Sequence, residues 1–208
     1  MVTFHALCAT LGWIAITIGV VSTFAQLARA YAVGIEGISL ATWFMFSLLG
    51  CFWIAYGAYV HSLIISMGSL SVLPFQVVVI VRLKPWLRWP VIQRCLLFFS
   101  VFCVGPTLVW GWSVGVLGVG LVMIATRLPQ LIELARHRGA MGVSVGAWSL
   151  STFGSLLWII YDAGFHFWAA ALVTLGSGVA NVTIASLAGW RHRQRRQVAL
   201  REVIFATP

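Results

Sequence analysis

Long apolar runs separated by short polar segments constrain this chain more than any other feature. A helix needs about 20 apolar residues to cross the hydrocarbon core of a bilayer. A chain of 208 residues that is 61% hydrophobic and 8% charged has no soluble interior large enough to bury so many apolar side chains. The sequence therefore predicts an all-helical, multi-pass membrane protein with seven transmembrane helices. The predicted spans are 7–29, 39–60, 62–83, 93–111, 113–135, 144–161 and 166–190.

The basic residues between the spans predict the orientation in the membrane, because loops that face the cytoplasm carry an excess of Lys and Arg. Twelve of the thirteen basic side chains, Arg136 and Arg138 among them, fall on one side of the spans, where Trp86 also marks a boundary. The N-terminus is predicted outside and the C-terminus in the cytoplasm, with a plasma membrane or bacterial inner membrane as the location. This distribution accounts for the net charge of +9 without nucleic-acid binding, and we expect the basic tail to contact anionic lipid.

The sequence also contains an internal repeat. A shift of 105 residues superimposes the second and third predicted spans on the sixth and seventh. With one residue fewer in the first loop, the end of the first span aligns with the end of the fifth, so that Gln26 corresponds to Gln130. The aligned segments are "GISLATW" (37–43) with "GVSVGAW" (142–148), "WIAYGAYVH" (53–61) with "WIIYDAGFH" (158–166), and "FAQLARA" (24–30) with "LPQLIEL" (128–134).

The repeat predicts two units of three helices each, called here the first and second units. Because a single helix joins them, both units have the same orientation and are related by an axis along the membrane normal, as in parallel-repeat transporters. The predicted organisation is 1–85 for the first unit, 86–112 for a basic loop and linker helix, 113–190 for the second unit, and 191–208 for a basic cytoplasmic tail.

The motifs within the repeat resemble those of the PQ-loop superfamily. They are a Pro-Gln pair near the end of a unit's first helix, G-[IV]-S-x-x-x-W at the start of the second helix, and W-x-x-Y within it. That superfamily includes SWEET and SemiSWEET sugar transporters, cystinosin-like amino-acid transporters and the KDEL receptor, and the three-plus-one-plus-three layout is similar to SWEET proteins. The resemblance implies alternating-access transport of a small polar solute, first of all a sugar. Because the spans offer no convincing buried carboxylate for coupling to protons, we expect gradient-driven uniport without a cofactor. The second unit carries the motif, whereas Ala25 replaces its proline in the first.

The Pro-Gln pair of the fifth span is the predicted hinge of an inner gate. Pro129 frees the carbonyl of Ala125 and permits a bend where the helix lines a cavity or is buried in protein. The resemblance implies that this bend opens and closes the cytoplasmic side, and a fixed kink is the alternative. Gln26 and Gln130 are expected to bond carbonyls freed by bends, or each other across the axis. Arg127 is either a gate charge or a topological anchor near the interface.

Residues at matching depth in the two units form the predicted substrate pocket. In SWEET-like proteins a Trp and an Asn at this separation hold the sugar. The resemblance implies that role for Trp53 with Ser69 and for Trp158 with Thr174, sixteen residues apart in each unit. A hydroxyl cannot make the bidentate contact that an amide makes. Amino acids and other small amphipathic solutes therefore remain alternatives to a sugar.

Two further repeated pairs lie near this pocket. Gln76 and Asn181 either supply the missing amides to the solute or only join helices. Tyr56 and Tyr161 either line the outer entrance or belong to the interfacial aromatic belt.

Other functional classes find little support in the sequence. The only lysine, Lys84, lies in a loop, so no span can form a retinal Schiff base. No catalytic motif or paired carboxylates indicate an enzyme, and no cysteine or histidine spacing indicates a metal site. His61 and His166 are expected to be solvated or pH-responsive. A non-transporting receptor or assembly factor of the same fold is the remaining alternative, and a homo-oligomer is possible.

Overall fold

Every regular element in the computed structural model of the chain is a helix. The described residues are 2–36, 38–84, 88–136 and 142–206. Three residues used in the sequence predictions, Gly37, Trp86 and Arg138, lie outside them. In chain order the helices are α1 (Val2–Val33), α2 (Leu40–Tyr59), α3 (Leu63–Leu70), α4 (Leu73–Arg82), α5 (Trp89–Phe99), a π-helical turn (Ser100–Val104), α6 (Gly105–Trp110), α7 (Trp112–Ala125), α8 (Arg127–Arg136), α9 (Val145–Gly164) and α10 (Trp168–Ala206).

Six helical stretches of the described chain are long and apolar enough to cross a membrane. The remaining predicted span, 144–161, is helical as α9 but is not among the six. Its serines and glycines lower its mean hydropathy, and it packs along α1 and α10. Six of the seven predicted spans are therefore helices long and apolar enough to cross a membrane. They are Thr3–Val33, Leu40–Tyr59, Leu63–Arg82, Trp89–Trp110, Trp112–Arg136 and Ala170–Gln197.

Prolines interrupt three of the predicted spans. The span predicted over 62–83 is divided into α3 and α4 just before Pro74, and the span over 93–111 has its π-helical turn before Pro106. The division between α7 and α8 precedes Pro129, where the sequence predicts a bend. Proline has no N–H to donate and its ring collides with the carbonyl four residues earlier, so each irregularity lies on its N-terminal side. The first two interruptions correct the prediction of unbroken helices.

Equivalent residues begin and end the second helix of each unit. The hydroxyls of Ser39 and Ser144 accept hydrogen bonds at 3.3 and 3.1 Å from backbone N–H groups three residues later, which caps α2 and α9. At the other ends of these helices, His61 and His166 have φ values of 55° and 62°. This left-handed region is uncommon for residues other than glycine and commonly terminates helices. The repeated histidines therefore mark the ends of the same helix in both units.

The helices pack in matching groups. In the first unit α2 packs against α3 and α4, and α1 contacts both of these short helices. In the second unit α9 packs along α10, which also contacts α7 and α8. Between the units α1 lies along α9, while α2 contacts α7 and α8. The linker helix packs against α2 and α7.

The last helix is longer than predicted. The segment predicted as a tail over 191–208 continues α10 as far as Ala206. Near the start of this extension, the Arg191 guanidinium donates a hydrogen bond of 2.9 Å to the carbonyl of Ala135 on α8. The extension therefore remains attached to the helical bundle at its base.

Candidate functional site

A cavity of about 620 Å³ lies between the two units, within the range of roughly 300–1,000 Å³ typical of small-molecule sites. Helices α1 to α4 line one side, and α7 to α10 line the other. The structure brings the Trp, hydroxyl and amide positions of the predicted pocket together on this one cavity. The repeat-related pairs on its wall are Trp53 with Trp158, Ser69 with Thr174, and Gln76 with Asn181.

The two tryptophans have the same neighbour in each unit. The Trp53 and Tyr56 rings meet edge to face at 5.6 Å, and the Trp158 and Tyr161 rings do so at 5.4 Å. Tyr56 also lines the cavity, but Tyr161 is buried behind Trp158 and is not part of the wall. The space for its ring exists because Gly12 on α1 has no side chain: a Cβ there would lie 3.0 Å from the ring. Neither predicted position of Tyr161, at the entrance or in the interfacial belt, is therefore correct.

The cavity is closed at the end of the bundle that carries the 34–39 and 142–144 loops, called here the loop end. Three rings cross this end, with centroids 5.8 Å apart for Trp43 and Phe46 and 6.3 Å apart for Phe46 and Trp148. Both tryptophans are only 5% exposed. They belong to a buried apolar cluster that includes residues of both units, so the cluster seals the cavity between them.

The opposite end, where α2 and α9 terminate at His61 and His166, is called here the histidine end. The cavity wall includes His166 and Trp168 at this end, and the Trp168 side chain is 61% exposed. The cavity therefore reaches the surface at the histidine end and is closed at the loop end.

Each of the two repeated glutamines bonds the start of the second helix in the other unit. The Gln26 amide donates to the carbonyl of Gly142 at 2.6 Å, and its oxygen accepts from the N–H of Ser144 at 2.9 Å. The oxygen of Gln130 accepts from the N–H of Ser39 at 2.9 Å. For Gln26 both sequence-based expectations are wrong, because its two bonds involve neither a carbonyl freed by a helix bend nor the other glutamine. We call these bonds the cross-unit glutamine contacts.

The loops at this end also touch through their backbones. The N–H of Gly142 donates to the carbonyl of Glu36 at 3.0 Å. A Cβ at Gly142 would lie 2.9 Å from that same carbonyl oxygen, which is closer than a carbon and an oxygen can approach. Glycine is thus required here for the two loops to meet.

Polar side chains follow one face of α10 along the cavity. Thr174 donates to the Asp162 carboxyl at 3.3 Å, and the Asn181 amide donates to the Ser155 hydroxyl at 3.3 Å. Between them, the buried hydroxyl of Ser177 has no hydrogen-bond partner within the described part of the chain. Unsatisfied buried polar groups are uncommon in proteins. Thr174, Asp162 and Asn181 therefore give this wall of the cavity its polar character.

Arg127 is a buried charge at the loop end of the cavity. Its side chain is 8% exposed and lines the cavity wall. The guanidinium donates through Nε to Asn181 at 3.3 Å, and through Nη1 to the carbonyl of Met123 and to the hydroxyl of Thr126 at 3.3 Å. It also lies over the Phe46 ring, 5.0 Å from the centroid. The side chain points toward α10 and α2, and not toward an interface as a topological anchor would.

The other predicted gate residues have different positions. Pro129 is half-buried on α8 and is not part of the cavity wall. The helix interruption that precedes it lies at Thr126, directly before Arg127. Gln26 lines the cavity, whereas Gln130 is buried behind it.

Several cavity residues were not predicted as part of the site. Phe46 and Ser155 have no chemically similar partner in the other unit, so the repeat gave no signal for them. Asp162 stands where the first unit has Gly57. It is 8% exposed on the cavity wall, so the expectation that the spans hold no buried carboxylate is wrong. Depth and charge together would have identified Asp162, because a carboxylate inside an apolar span is costly and usually functional.

No group of three or more His, Cys, Asp or Glu side chains able to hold a metal ion occurs within the described ranges. No protein-family profile matches the chain, and no curated protein matches it.

Proposed function

We propose that the chain is a membrane transporter of the PQ-loop type that moves a small polar solute by alternating access. The observation that carries the proposal is the cavity between the two units, which is lined by repeat-related side chains and extends from the buried Trp43 and Trp148 to the exposed Trp168 at the histidine end. Alternating access requires such a site on the axis between two units, reached from one side at a time. In this proposal the units are two parallel three-helix bundles joined by a linker helix, with the loop end facing the cytoplasm.

The solute would bind between the two tryptophans. Trp53 and Trp158 come from opposite units and lie on one cavity, so one solute can contact both rings. Ser69 and Thr174 add hydroxyls, and Gln76 and Asn181 add amides. The Gln76 oxygen accepts only one bond, from Ser47 at 3.4 Å, and no described group accepts from its NH₂. These side chains give the cavity apolar faces with a few polar groups, which suits a solute of sugar or amino-acid size.

Opening the loop end would require breaking the cross-unit glutamine contacts. The described bonds of Gln26 and Gln130 join the two units at the loop end. The interruption before Pro129 gives α8 a place to rotate relative to α7. In the proposed cycle α8 moves, Gln130 leaves the N–H of Ser39, and Trp43 separates from Trp148.

The experiment is flux into liposomes containing the purified protein, measured for a panel of radiolabelled sugars, amino acids and organic acids. We expect at least one solute to equilibrate faster than in protein-free liposomes, and to do so without a proton gradient. The test variant is Trp158→Ala, which removes one wall of the site. Its matched control is Trp13→Ala, which removes a lipid-side ring that is 44% exposed. Specific binding of a solute without flux would instead show a receptor, and equal flux in both variants would contradict the proposed site.

A further inference from the structure

Arg127 is a charged group on the cavity wall that contacts no carboxylate of the described chain. Arg127 is 8% exposed. Its contacts are an amide oxygen, a carbonyl, a hydroxyl and a ring, and no carboxylate of the described chain is among them. Removing an unpaired charge from water is unfavourable. An arginine in this position is therefore favoured only when something compensates the charge.

The guanidinium also has unused donors beside an unused hydroxyl. Its Nε and Nη1 groups are engaged, whereas Nη2 donates to no described group. One turn before Asn181 on α10, the Ser177 hydroxyl also lacks a partner among the described residues, but it is fully buried and does not reach the open cavity. Arg127 and Asn181 belong to the same cavity wall. The Nη2 donor of Arg127 thus remains available to an acceptor group at the closed end of the cavity.

The first unit shows that packing does not require this arginine. The residue equivalent to Arg127, one repeat earlier, is Thr23. Its hydroxyl donates to the carbonyl of Gly19 within its own helix at 2.9 Å. Both units have a helix at this position, with an equivalent glutamine three residues later. The charge of Arg127 is therefore an addition in the second unit that the shared helix packing does not need. An added, buried and uncompensated charge inside a membrane segment indicates function.

We propose that Arg127 and Asn181 bind a carboxylate of the solute at the closed end of the cavity. The planar guanidinium fork matches a carboxylate, and bonds between charged partners are stronger than neutral ones. The bound carboxylate supplies the missing counter-charge. The solute is accordingly an organic acid and not a neutral sugar. That this acid is the transported solute rests on the proposed function. That it binds at Arg127 does not.

The rest of the cavity specifies the other end of the acid. The Asp162 carboxyl, 8% exposed, lines the cavity and accepts a bond from Thr174. Thr174 and Asn181 are seven residues apart on α10, which corresponds to about 10 Å along a helix. A carboxylate bound to Arg127 therefore suits a solute with an amine or hydroxyl at its far end. A second carboxylate there would face Asp162 and be repelled.

The test compares acids with compounds of the same skeleton in which a carboxamide replaces the carboxylate, called here their neutral counterparts because that position carries no charge. The pairs are lysine with lysinamide, 6-aminohexanoate with 6-aminohexanamide, and gluconate with gluconamide, and binding to the purified full-length protein is measured by calorimetry. We expect at least one acid to bind, and its neutral counterpart to bind at least about tenfold more weakly. Arg127→Met should weaken that acid by a similar factor, and Arg127→Lys by less, because it retains the charge without the fork. Arg195→Met, which removes an exposed charge of α10, is the matched control.

Three results would overturn the inference: no acid of the panel binds, a neutral counterpart binds as tightly as its acid, or Arg127→Met binds the acid like the unaltered protein. If Arg127→Met does not fold, Asn181→Ala serves as the second variant, with weakened acid binding expected. Flux separates this inference from the proposed function. Transport of neutral solutes only would leave the transporter proposal standing and remove the carboxylate site. If an acid binds in a manner that depends on Arg127 but no flux is measured, the carboxylate site stands and the transporter proposal is removed.

Discussion

Replacing Gln26 by leucine should shift the protein toward a state that is open at the loop end. The substitution removes bonds of 2.6 and 2.9 Å to Gly142 and Ser144 at a position only 2% exposed. A hydrogen bond contributes about 0.5–1.5 kcal/mol net, and a buried group left without a partner costs about 1–3 kcal/mol. Losing two bonds should therefore raise the free energy of the closed state by about 2–4 kcal/mol. This corresponds to a change of about 30- to 700-fold in the ratio of the two states.

The distance between the helix ends beside the loops reports this ratio. Spin labels at Ala32 on α1 and Arg136 on α8, both exposed, occupy equivalent positions in the two units. They would be introduced after replacement of the four native cysteines and measured by double electron–electron resonance. We expect one short distance in the unaltered protein and an added longer one in Gln26→Leu. The matched control is Gln93→Leu, the same change at an exposed site on α5.

An unchanged distance distribution in Gln26→Leu, together with a lower Tm, would refute the reasoning. It would mean that the contact exists in every folded state, so that its loss destabilises folding without favouring an open form. Gln130→Leu provides an independent check, because it removes the bond to Ser39 from the opposite unit. It should change the distances in the same direction.

Three further predictions follow from the site and the topology. Trp158→Ala should weaken solute binding about tenfold or more in calorimetry, because a stacked ring contributes on the order of 1 kcal/mol beyond its buried area; Trp13→Ala should not. Pro129→Ala should slow solute exchange in liposome flux with nearly unchanged affinity, since it restores the helix at the α7–α8 interruption. Equal losses of exchange rate and affinity would contradict the role of Pro129 as a hinge. Cysteines at His61 and Arg136 should react with an impermeant reagent from opposite faces of the membrane, and labelling from one face would refute the parallel repeat.

The helices were largely predictable because apolar runs set their length. Their interruptions were predictable in principle, since Pro74 and Pro106 each follow an irregular turn. Hydropathy does not register these interruptions because the flanking residues are all apolar. The weak apolar character of α9 was missed for a related reason. The face of α9 that packs along α1 and α10 permits serines and glycines, whereas Phe153, Leu156 and Ile160 on another face are exposed.

The site was predictable where both units share a residue type. The repeat and the family resemblance together indicated that Trp53 and Trp158 line one cavity from opposite units, because equivalent residues of two units face the axis between them. The partners of the glutamines were not predictable, since Gln26 bonds residues 116 and 118 positions later and no local pattern encodes that pairing. Tyr161 was misplaced because the space behind Trp158 depends on Gly12, a residue of another helix.

The cross-unit glutamine contacts also impose an order in time on the biosynthesis of the chain. Gln26 is made 116 residues before Gly142, a delay of roughly 6–23 seconds at about 5–20 residues per second. During that interval the polar side chain of Gln26 has been made, whereas its partners have not. The N–H of Ser39 similarly precedes Gln130 by 91 residues. The first unit is therefore complete before the cross-unit glutamine contacts can form, and the groups that later make these contacts need other partners until then.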